Sequence, residues 1–333
     1  MLFLSIIFLT VIFQISSLSW FSIWIAMELN LLSFIPLLST PYNILYNEGS
    51  MKYFLIQVFG SIILLMGWLS GSLMFFNVMY GDEFSNLLFY VSLILKMGAA
   101  PFHFWFPLVL ESLSWMNSFL MMTWQKLGPL MLLSFINKLM FLLMMSSIFS
   151  SLIGGFGGFN QVSFKKIFAY SSIGHLGWML ISLIMVESYF IMYYMFYILM
   201  VFMLCMVLFL KNLSSLNQFL FLSESFFLEK LFFLFSLLSL GGLPPFSGFF
   251  VKWMILNSIL ILKLKFLGLI LIMSTLVSLF YYLRISYSVL LKFNLSLSFI
   301  MQNMKINNYF LMKIIILIMM VSLIMIPLMI WML

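Results

Sequence analysis

The chain has 333 residues, of which 65% are hydrophobic and only 7% are charged, and its formal net charge is +7. Soluble domains carry roughly 25% charged residues, so this composition excludes a soluble globular protein and indicates an integral membrane protein. Its apolar runs are continuous and much longer than the roughly 10-residue alternating strands of a membrane β-barrel, which excludes that class as well.

Blocks of about 20 apolar residues predict transmembrane helices. Successive blocks predict an all-α, polytopic transmembrane helical bundle of about 11 helices, forming a single domain over 1–333. The predicted helices cover 2–18, 20–38, 52–75, 86–106, 116–137, 142–159, 168–186, 189–210, 228–262, 266–290 and 309–332.

The lysines of the loops predict the orientation of the chain. If the helices alternate in direction, the loops on one side carry Lys52, Lys165, Lys166, Lys211, Lys230, Lys292 and Lys305. The loops on the other side carry chiefly Lys138, Lys263 and Lys265. The positive-inside rule then places the N-terminus on the inner side, and an odd number of helices places the C-terminus on the opposite side.

The single cysteine, Cys205, lies in an apolar run. One thiol can neither form an internal disulfide nor supply the several ligands of an iron–sulfur cluster, so we expect no redox metal in this chain. The basic residues are 14 lysines and one arginine, and there are 31 methionines and 41 phenylalanines. This bias indicates an AT-rich coding genome such as a mitochondrial one.

Two predicted helices contain the same interruption, Gly-x-x-Pro-Phe. It places Gly98 and Pro101 in one helix and Gly242, Pro244 and Pro245 in the other, 144 residues later. Proline removes a backbone donor and clashes with the preceding turn, so both helices are expected to break and to free carbonyls near mid-membrane. Such pairs are typical of transporter sites. The sequence therefore predicts two inverted five-helix repeats, two broken helices and one extra helix.

Four ionisable side chains lie in apolar surroundings: Glu28, Lys96, Lys126 and Lys252. A lysine in a bilayer costs about 2.5–3.5 kcal/mol on insertion scales, so such residues usually face the protein interior and mark ion or proton routes. The alternative is that they extend to the headgroups or form structural ion pairs. Burial disfavours a charged amine and a nearby carboxylate favours it, so Glu28 and Lys96 could form a two-state proton carrier.

Two histidines complete the candidate proton-transfer residues. His103 follows Lys96 by seven residues, and an ordinary imidazole pKa of about 6.5 suits a relay between lysines, although it could equally be a packing residue. His175 lies among serines and glycines that admit water. The two interruptions are 144 residues apart, and the position 144 residues after Glu28 is Ser172, close to His175. Glu28 and His175 could therefore occupy equivalent places in the two repeats. Two histidines this far apart, without neighbouring cysteines or carboxylates, make a poor metal site.

The glycine-rich segment 154–158 (GGFGG) resembles a nucleotide-binding loop only superficially. No strand precedes it, and no lysine and hydroxyl pair follows in phosphate-loop register. Close packing of helices is the expected role of these glycines. Nothing in the sequence resembles an acyl-transfer or phosphoryl-transfer centre.

Five motifs occur in order along most of the chain. They are MELN at 27–30, KMGAAPFHFW at 96–105, WQKLGP at 124–129, YSSIGHLG at 170–177 and GGLPPFSGFFVK at 241–252. With these motifs the chain resembles the mitochondrially encoded subunit 2 family of NADH:ubiquinone oxidoreductase, respiratory complex I. Each fragment is short, but five in register are specific.

The resemblance implies an antiporter-like, proton-translocating subunit of the membrane arm. Glu28, Lys96, Lys126 and Lys252 match the family's charged positions along a central hydrated axis, which would carry protons from the matrix to the intermembrane space. The chain would be a multi-pass protein of the mitochondrial inner membrane, with its N-terminus on the matrix side. The resemblance also implies that the chain would lack the three further N-terminal helices of bacterial relatives, as in many animal mitochondria.

The same resemblance implies the cofactors and partners. NADH, FMN, the iron–sulfur clusters and ubiquinone would bind to other subunits, so the chain would be a non-redox subunit of the enzyme. Its partners would be other membrane-arm subunits, including further antiporter-like ones, and phospholipids, with cardiolipin as a candidate. No nucleic acid and no metal is expected to bind.

Two other functions fit some of these features. A stand-alone cation/proton antiporter would use the same broken helices and lysines, although a sodium site would favour more carboxylates. A purely structural arm of a larger assembly would keep proton pumping intact when Lys126 is replaced.

Overall fold

A computed structural model describes residues 2–39, 43–73, 81–136, 139–185, 187–220, 227–244 and 246–292. The regular elements in these ranges are helices. In chain order they are α1 (Leu2–Ser16), α2 (Trp20–Leu38), α3 (Ile44–Leu73), α4 (Gly81–Met97), α5 (Trp105–Ser112), α6 (Trp115–Met122), α7 (Trp124–Ser134), α8 (Met140–Gly157), α9 (Phe164–Met185), α10 (Glu187–Lys211), α11 (Leu216–Leu220), α12 (Phe227–Gly241), α13 (Ser247–Ile261) and α14 (Lys265–Lys292).

The all-α, multi-span architecture is confirmed. In the described part of the chain, six helices are long and apolar enough to cross a membrane: α2, α3, α8, α9, α10 and α14. Helix α9 is central, because it packs against α5, α7, α8, α10, α13 and α14. The predicted helix 309–332 lies outside the described residues, and the five-helix repeats stay a prediction.

Helix α3 begins at Ile44, eight residues before the predicted start at Lys52. The prediction was wrong there because the polar residues of 47–52 suggested a loop. These residues continue the helix instead, and Glu48 and Lys52 lie one turn apart with 3.9 Å between their charged atoms. Such pairs one turn apart stabilise a solvated helix end.

Helices end at both predicted interruptions. Helix α4 stops before Gly98, which has a φ of +69°, and α12 stops before Gly242, which has a φ of +83°. Glycine adopts this left-handed conformation without a steric penalty. In both places the backbone N–H of the residue after the glycine donates to the carbonyl five residues earlier: Ala99 donates to Ile94, and Leu243 donates to Leu238. The two breaks therefore share one form of helix termination, while Pro245 lies outside the described residues.

A third discontinuity was not predicted. The expected helix 116–137 is divided at Thr123, where φ is −112° and ψ is −82°, into α6 and α7. The Thr123 hydroxyl donates to the carbonyl of Phe119 at 2.7 Å, and the Thr123 carbonyl accepts from the Tyr194 hydroxyl at 2.9 Å. A tyrosine on α10 thus bonds the start of α7, a contact that the local sequence does not predict.

The glycines of α8 bring it into backbone contact with α9. A Cβ atom on Gly154 would lie 2.3 Å from the nitrogen and 2.4 Å from the Cα of Gly174. Real Cβ atoms do not approach backbone this closely, so a side chain here would push the helices apart. This contact matters for function because His175 follows Gly174 on α9.

Gly154→Ala is therefore expected to lower the free energy of unfolding by about 1–3 kcal/mol or more, the cost of overpacking a tight core. The measurement is the thermal unfolding midpoint of the purified complex that contains the chain. Gly71→Ala is the matched control, because a Cβ there would meet Ser85 only at 3.6 Å. Equal midpoints for the two variants would contradict the close contact.

Candidate functional site

Three lysines are buried in the part of the bundle that the structure describes. The exposed fraction is 8% for Lys96, 2% for Lys126 and 7% for Lys252. These values exclude the alternative that the amines extend to the headgroups. Each lysine lies next to a helix discontinuity: Lys96 in the last turn of α4, Lys126 in the first turn of α7, and Lys252 on α13, beyond the second predicted break.

Lys96 lies between α2, α3 and the first break. Its Nζ donates to the thioether sulfur of Met27 at 3.3 Å, and its carbonyl accepts from the Gln57 amide at 3.1 Å. A Cβ on Gly60 would lie 3.0 Å from Lys96 Cγ, so the absence of a side chain there leaves room for the lysine stem. A thioether is a weak acceptor. The amine is therefore held in place without a strong partner.

Glu28 is half-buried on α2 and lies within electrostatic reach of Lys96. Among the described residues, the charged pairs within 4.0 Å are Lys52 with Glu48 and Lys166 with Glu111. Glu28 and Lys96 therefore do not form a contact ion pair in this conformation. The two charged groups are separated in the structure, and the two-state pair stays a prediction.

Lys126 is the most deeply buried of the three amines. Its Nζ lies 4.4 Å from the centroid of the Phe106 ring and 3.5 Å from the Ser172 carbonyl oxygen. An ammonium has three donors, and an aromatic face satisfies its charge only weakly. Lys126 thus has spare donor capacity inside the bundle, next to α9.

Lys96 and Lys126 line one cavity of about 30 Å³. A single buried water needs about 10–15 Å³, so the cavity has room for about two. Four amide side chains also line it: Gln14, Asn30, Gln57 and Gln125. In the described part of the chain the Gln14 Oε1 atom is a buried acceptor without a hydrogen-bond partner. Buried polar atoms are nearly always satisfied, so this one favours water in the cavity.

Asn30 and Gln125 join the two sides of this cavity. Asn30 Nδ2 donates to Gln125 Oε1 at 2.7 Å, and Gln125 Nε2 donates back to Asn30 Oδ1 at 3.3 Å. This reciprocal bond connects α2 to α7, close in sequence to Glu28 and Lys126. Sequence analysis missed the amides as site residues, although isolated amides in apolar spans were the signal that could have found them.

His175 lies on α9, one turn after Ser172, whose carbonyl accepts from Lys126. Its Nδ1 atom is 2.7 Å from the Tyr193 hydroxyl on α10. Both Lys126 and Lys252 lie within electrostatic reach of the imidazole. The histidine therefore occupies a central position between two buried amines.

Lys252 reaches back to the second break. Its Nζ donates to the carbonyls of Leu240 at 2.9 Å and Gly241 at 3.0 Å. A Cβ on Gly242 would lie 3.0 Å from the same Nζ. The sequence predicted that this break would free carbonyls for a cation, and in the structure the cation is the ammonium of Lys252 itself.

Two further cavities, each of about 20 Å³, are lined by both His175 and Lys252. Each is large enough for one water. One of them is rich in hydroxyl groups, from Ser151, Ser171, Ser274, Thr275, Ser278, Tyr281 and Tyr282. Trp178 also lines this cavity, and its buried indole nitrogen has no hydrogen-bond partner in the described residues.

His103 lies in the first break, between α4 and α5. Its Nδ1 is 3.2 Å from the Pro101 carbonyl oxygen, and its ring centroid is 4.1 Å from that of Phe104. It is not among the residues that line the cavity of Lys96 and Lys126. The structure therefore brings those two lysines together without His103, and the relay role of this histidine stays a prediction.

No cluster of three histidine, cysteine, aspartate or glutamate side chains that could hold a metal ion occurs within the described ranges. The groups that converge on the bundle interior are instead amines, amides, hydroxyls and one imidazole. Groups of these kinds can exchange or order protons, and they line three water-sized cavities.

Comparison with known proteins gives relatives over most of the chain. Residues 17–278 match the family described as NADH:quinone oxidoreductase/Mrp antiporter, transmembrane. The chain is 41% identical over 292 residues to NADH-ubiquinone oxidoreductase chain 2 of Anopheles gambiae, covering 86% of this chain and 85% of that protein. It is 36% identical over 291 residues to the protein of the same name from Locusta migratoria, covering 87% and 85%.

Solved structures share the fold. A chain of respiratory complex I from Thermus thermophilus gives a TM-score of 0.72 at 24% identity, covering 84% of this chain and 68% of that one. A chain of the membrane-bound sulfane sulfur reductase, an archaeal respiratory membrane complex, gives 0.81 at 16% identity, covering 98% and 72%. At these identities the likeness concerns the fold.

Proposed function

The chain belongs to the NADH-ubiquinone oxidoreductase chain 2 family and to the wider NADH:quinone oxidoreductase/Mrp antiporter transmembrane family, and from this we propose that Lys96, Lys126, His175 and Lys252 carry protons across the membrane. It is an antiporter-like subunit of respiratory complex I. The proposal assigns its contribution to proton translocation rather than to redox chemistry.

One observation carries the proposal: two buried amines, Lys96 and Lys126, face the same water-sized cavity. Proton transfer needs donor and acceptor within about 2.6–3.2 Å, either directly or through one water. Water in this cavity would supply that link. From Lys126, the contact with Ser172 leads one turn along α9 to His175, which shares two more cavities with Lys252.

Glu28 is the proposed switch of the first step. When its carboxylate approaches Lys96, the protonated amine is favoured. When the carboxylate is separated from Lys96, as in this structure, release of the proton from the amine is favoured. Lys96 then passes its proton through cavity water to Lys126. Charge arriving at Lys126 repels charge at the next site, so the proton moves on through His175 towards Lys252.

His103 has a separate place in this proposal. It is buried in the first break and does not line the cavity of Lys96 and Lys126, so the proposal places it before or after that cavity rather than between the two lysines. Replacing it should therefore affect proton entry or exit more than transfer between the two lysines.

The proposal also covers the setting of the chain. The chain lies in the mitochondrial inner membrane with its N-terminus on the matrix side, next to other membrane-arm subunits and phospholipids. NADH, FMN, iron–sulfur clusters and ubiquinone bind elsewhere in the complex. Three observations support this setting: the family membership, the distribution of lysines among the loops, and the amino-acid bias that indicates an AT-rich coding genome.

The test is reconstitution of the complex carrying Lys96→Ala into vesicles, with NADH oxidation and proton uptake recorded together. Loss of a positioned proton carrier slows transfer by about 100-fold or more, so the protons taken up per NADH oxidised should fall while assembly is kept. Lys265→Ala, an exposed lysine at the start of α14, is the control. An unchanged proton yield in assembled Lys96→Ala complex would refute the proposal.

A further inference from the structure

Tyr193 on α10 makes a short hydrogen bond to the histidine of the proposed path. The distance between its hydroxyl oxygen and His175 Nδ1 is 2.7 Å, and both side chains are buried. Both also line the cavity that contains Lys252. Sequence analysis assigned no role to Tyr193, which lies in an aromatic-rich apolar run without any motif.

The bond constrains which nitrogen of His175 carries the hydrogen. A neutral imidazole has one donor and one acceptor nitrogen, and the bond made by one nitrogen sets the tautomer. The contact fits either direction, because a phenol can donate to Nδ1 or accept from Nδ1–H. The Tyr193 hydroxyl makes no other hydrogen bond within the described residues, so its hydrogen is assigned to the bond with Nδ1. The neutral ring of His175 then carries its N–H on Nε2, and it can release that proton only after Nδ1 has gained one.

A tyrosine hydroxyl can keep this bond in both states of the histidine because it is both donor and acceptor. Nδ1 is the basic nitrogen of this neutral ring, so His175 is protonated there: the phenol hydrogen passes to Nδ1 while protonated water in the shared cavity gives its proton to the phenol oxygen. Nδ1–H then donates to the Tyr193 oxygen, and the new phenol hydrogen points towards the cavity. The ring stays in place while the direction of the bond reverses. A phenylalanine would leave Nδ1 without a partner in either state.

We propose that Tyr193 is a positioning residue of the proton path, which holds His175 in the Nε2–H tautomer and follows its protonation by reversing their shared hydrogen bond. This inference rests on the proposed function, because it gives His175 a proton to carry. The neighbouring Tyr194 donates to the Thr123 carbonyl at the start of α7. Adjacent residues of α10 thus fix both His175 and the helix that carries Lys126.

The experiment compares Tyr193→Phe with Tyr90→Phe in the reconstituted complex. Tyr90 is the matched control, since it is also buried and its hydroxyl donates to the Leu142 carbonyl at 2.7 Å, away from the path. Loss of one neutral hydrogen bond predicts a drop in NADH-driven proton uptake of about two- to tenfold for Tyr193→Phe. Uptake by Tyr90→Phe should be unchanged.

The second measurement is an isotope-edited infrared spectrum of labelled histidine, which reports the tautomer of His175. A purely structural role of Tyr193 would leave this spectrum unchanged. The Nε2–H signal of His175 should weaken in Tyr193→Phe and stay unchanged in Tyr90→Phe. The double variant Tyr193→Phe with His175→Gln should pump no more slowly than His175→Gln alone. An unchanged tautomer signal in Tyr193→Phe would overturn the inference, whatever its pumping rate.

The His175→Gln variant separates the failure of this inference from that of the proposed function. If His175→Gln slows pumping while Tyr193→Phe changes neither the rate nor the tautomer, Tyr193 has no positioning role and the path stands. If His175→Gln leaves pumping unchanged in assembled complex, the proposed role of His175 is wrong, and the role of Tyr193 is overturned with it.

Discussion

Lys126→Met is expected to block proton transfer through the chain without destabilising it. The amine is almost fully buried, and its contacts are one long carbonyl contact at 3.5 Å and an aromatic face. Burying a poorly paired charge is costly, and methionine of similar length fills the same space without that cost. The protons taken up per NADH oxidised should therefore fall, with transfer slowed about 100-fold or more.

The thermal unfolding midpoint of the same complex should be unchanged or higher. Lys265→Met removes one exposed lysine and should alter neither measurement. A purely structural role for the chain makes the opposite prediction, namely full proton uptake by Lys126→Met. Normal uptake together with intact assembly would therefore reject Lys126 as a proton carrier.

Lys252→Met is expected to block transfer equally but to lower stability. Unlike Lys126, this amine donates two hydrogen bonds, to the carbonyls of Leu240 and Gly241 at the break. Methionine would leave these buried carbonyls unpaired, at about 1–3 kcal/mol each. The thermal unfolding midpoint should fall, in contrast to the result for Lys126→Met.

Lys252→Arg separates the structural role from the proton-carrying role. Arginine keeps the positive charge and the donors, but it does not lose its proton in proteins. This variant should therefore recover much of the stability lost in Lys252→Met while proton uptake stays low. Normal uptake by Lys252→Arg would show that Lys252 acts as a fixed cation and not as a carrier.

The sequence predicted those parts of the site that depend on unusual residues in apolar surroundings. Gly98 and Gly242 interrupt their helices because their left-handed backbone needs glycine, and that need is local. Lys96 and Lys126 stood out because an amine in an apolar span is costly wherever it lies. That these two lysines lie along one hydrated axis was implied by the family resemblance, whereas their meeting at one cavity depends on packing and does not follow from the residues alone.

Other parts of the site had weak or no local signals. At the Thr123 break the backbone carbonyl accepts a hydrogen bond from Tyr194, which is 71 residues away. The amide pair of Asn30 and Gln125 joins residues 95 positions apart. Tyr193 looks like any aromatic residue of an apolar helix until His175 is placed beside it. Pairings of this kind come from tertiary structure, which a single sequence does not specify.

The spacing argument for His103 is weaker. Seven residues after Lys96 would be two helical turns only if the helix resumed unbroken, and α4 ends before Gly98. The helical register therefore does not carry over the break. A spacing argument holds only within an uninterrupted helix, and here the sequence itself contained the glycine and proline that end it.

The most direct test of the proton path is the location of ordered water in an experimental map of the complex. We predict water in the cavity shared by Lys96 and Lys126, within about 3.2 Å of both amines or joined to them through one further water. Water should also bond Gln14 Oε1. A cavity closed by side chains or filled by lipid, with both amines bonded to protein atoms alone, would contradict the account.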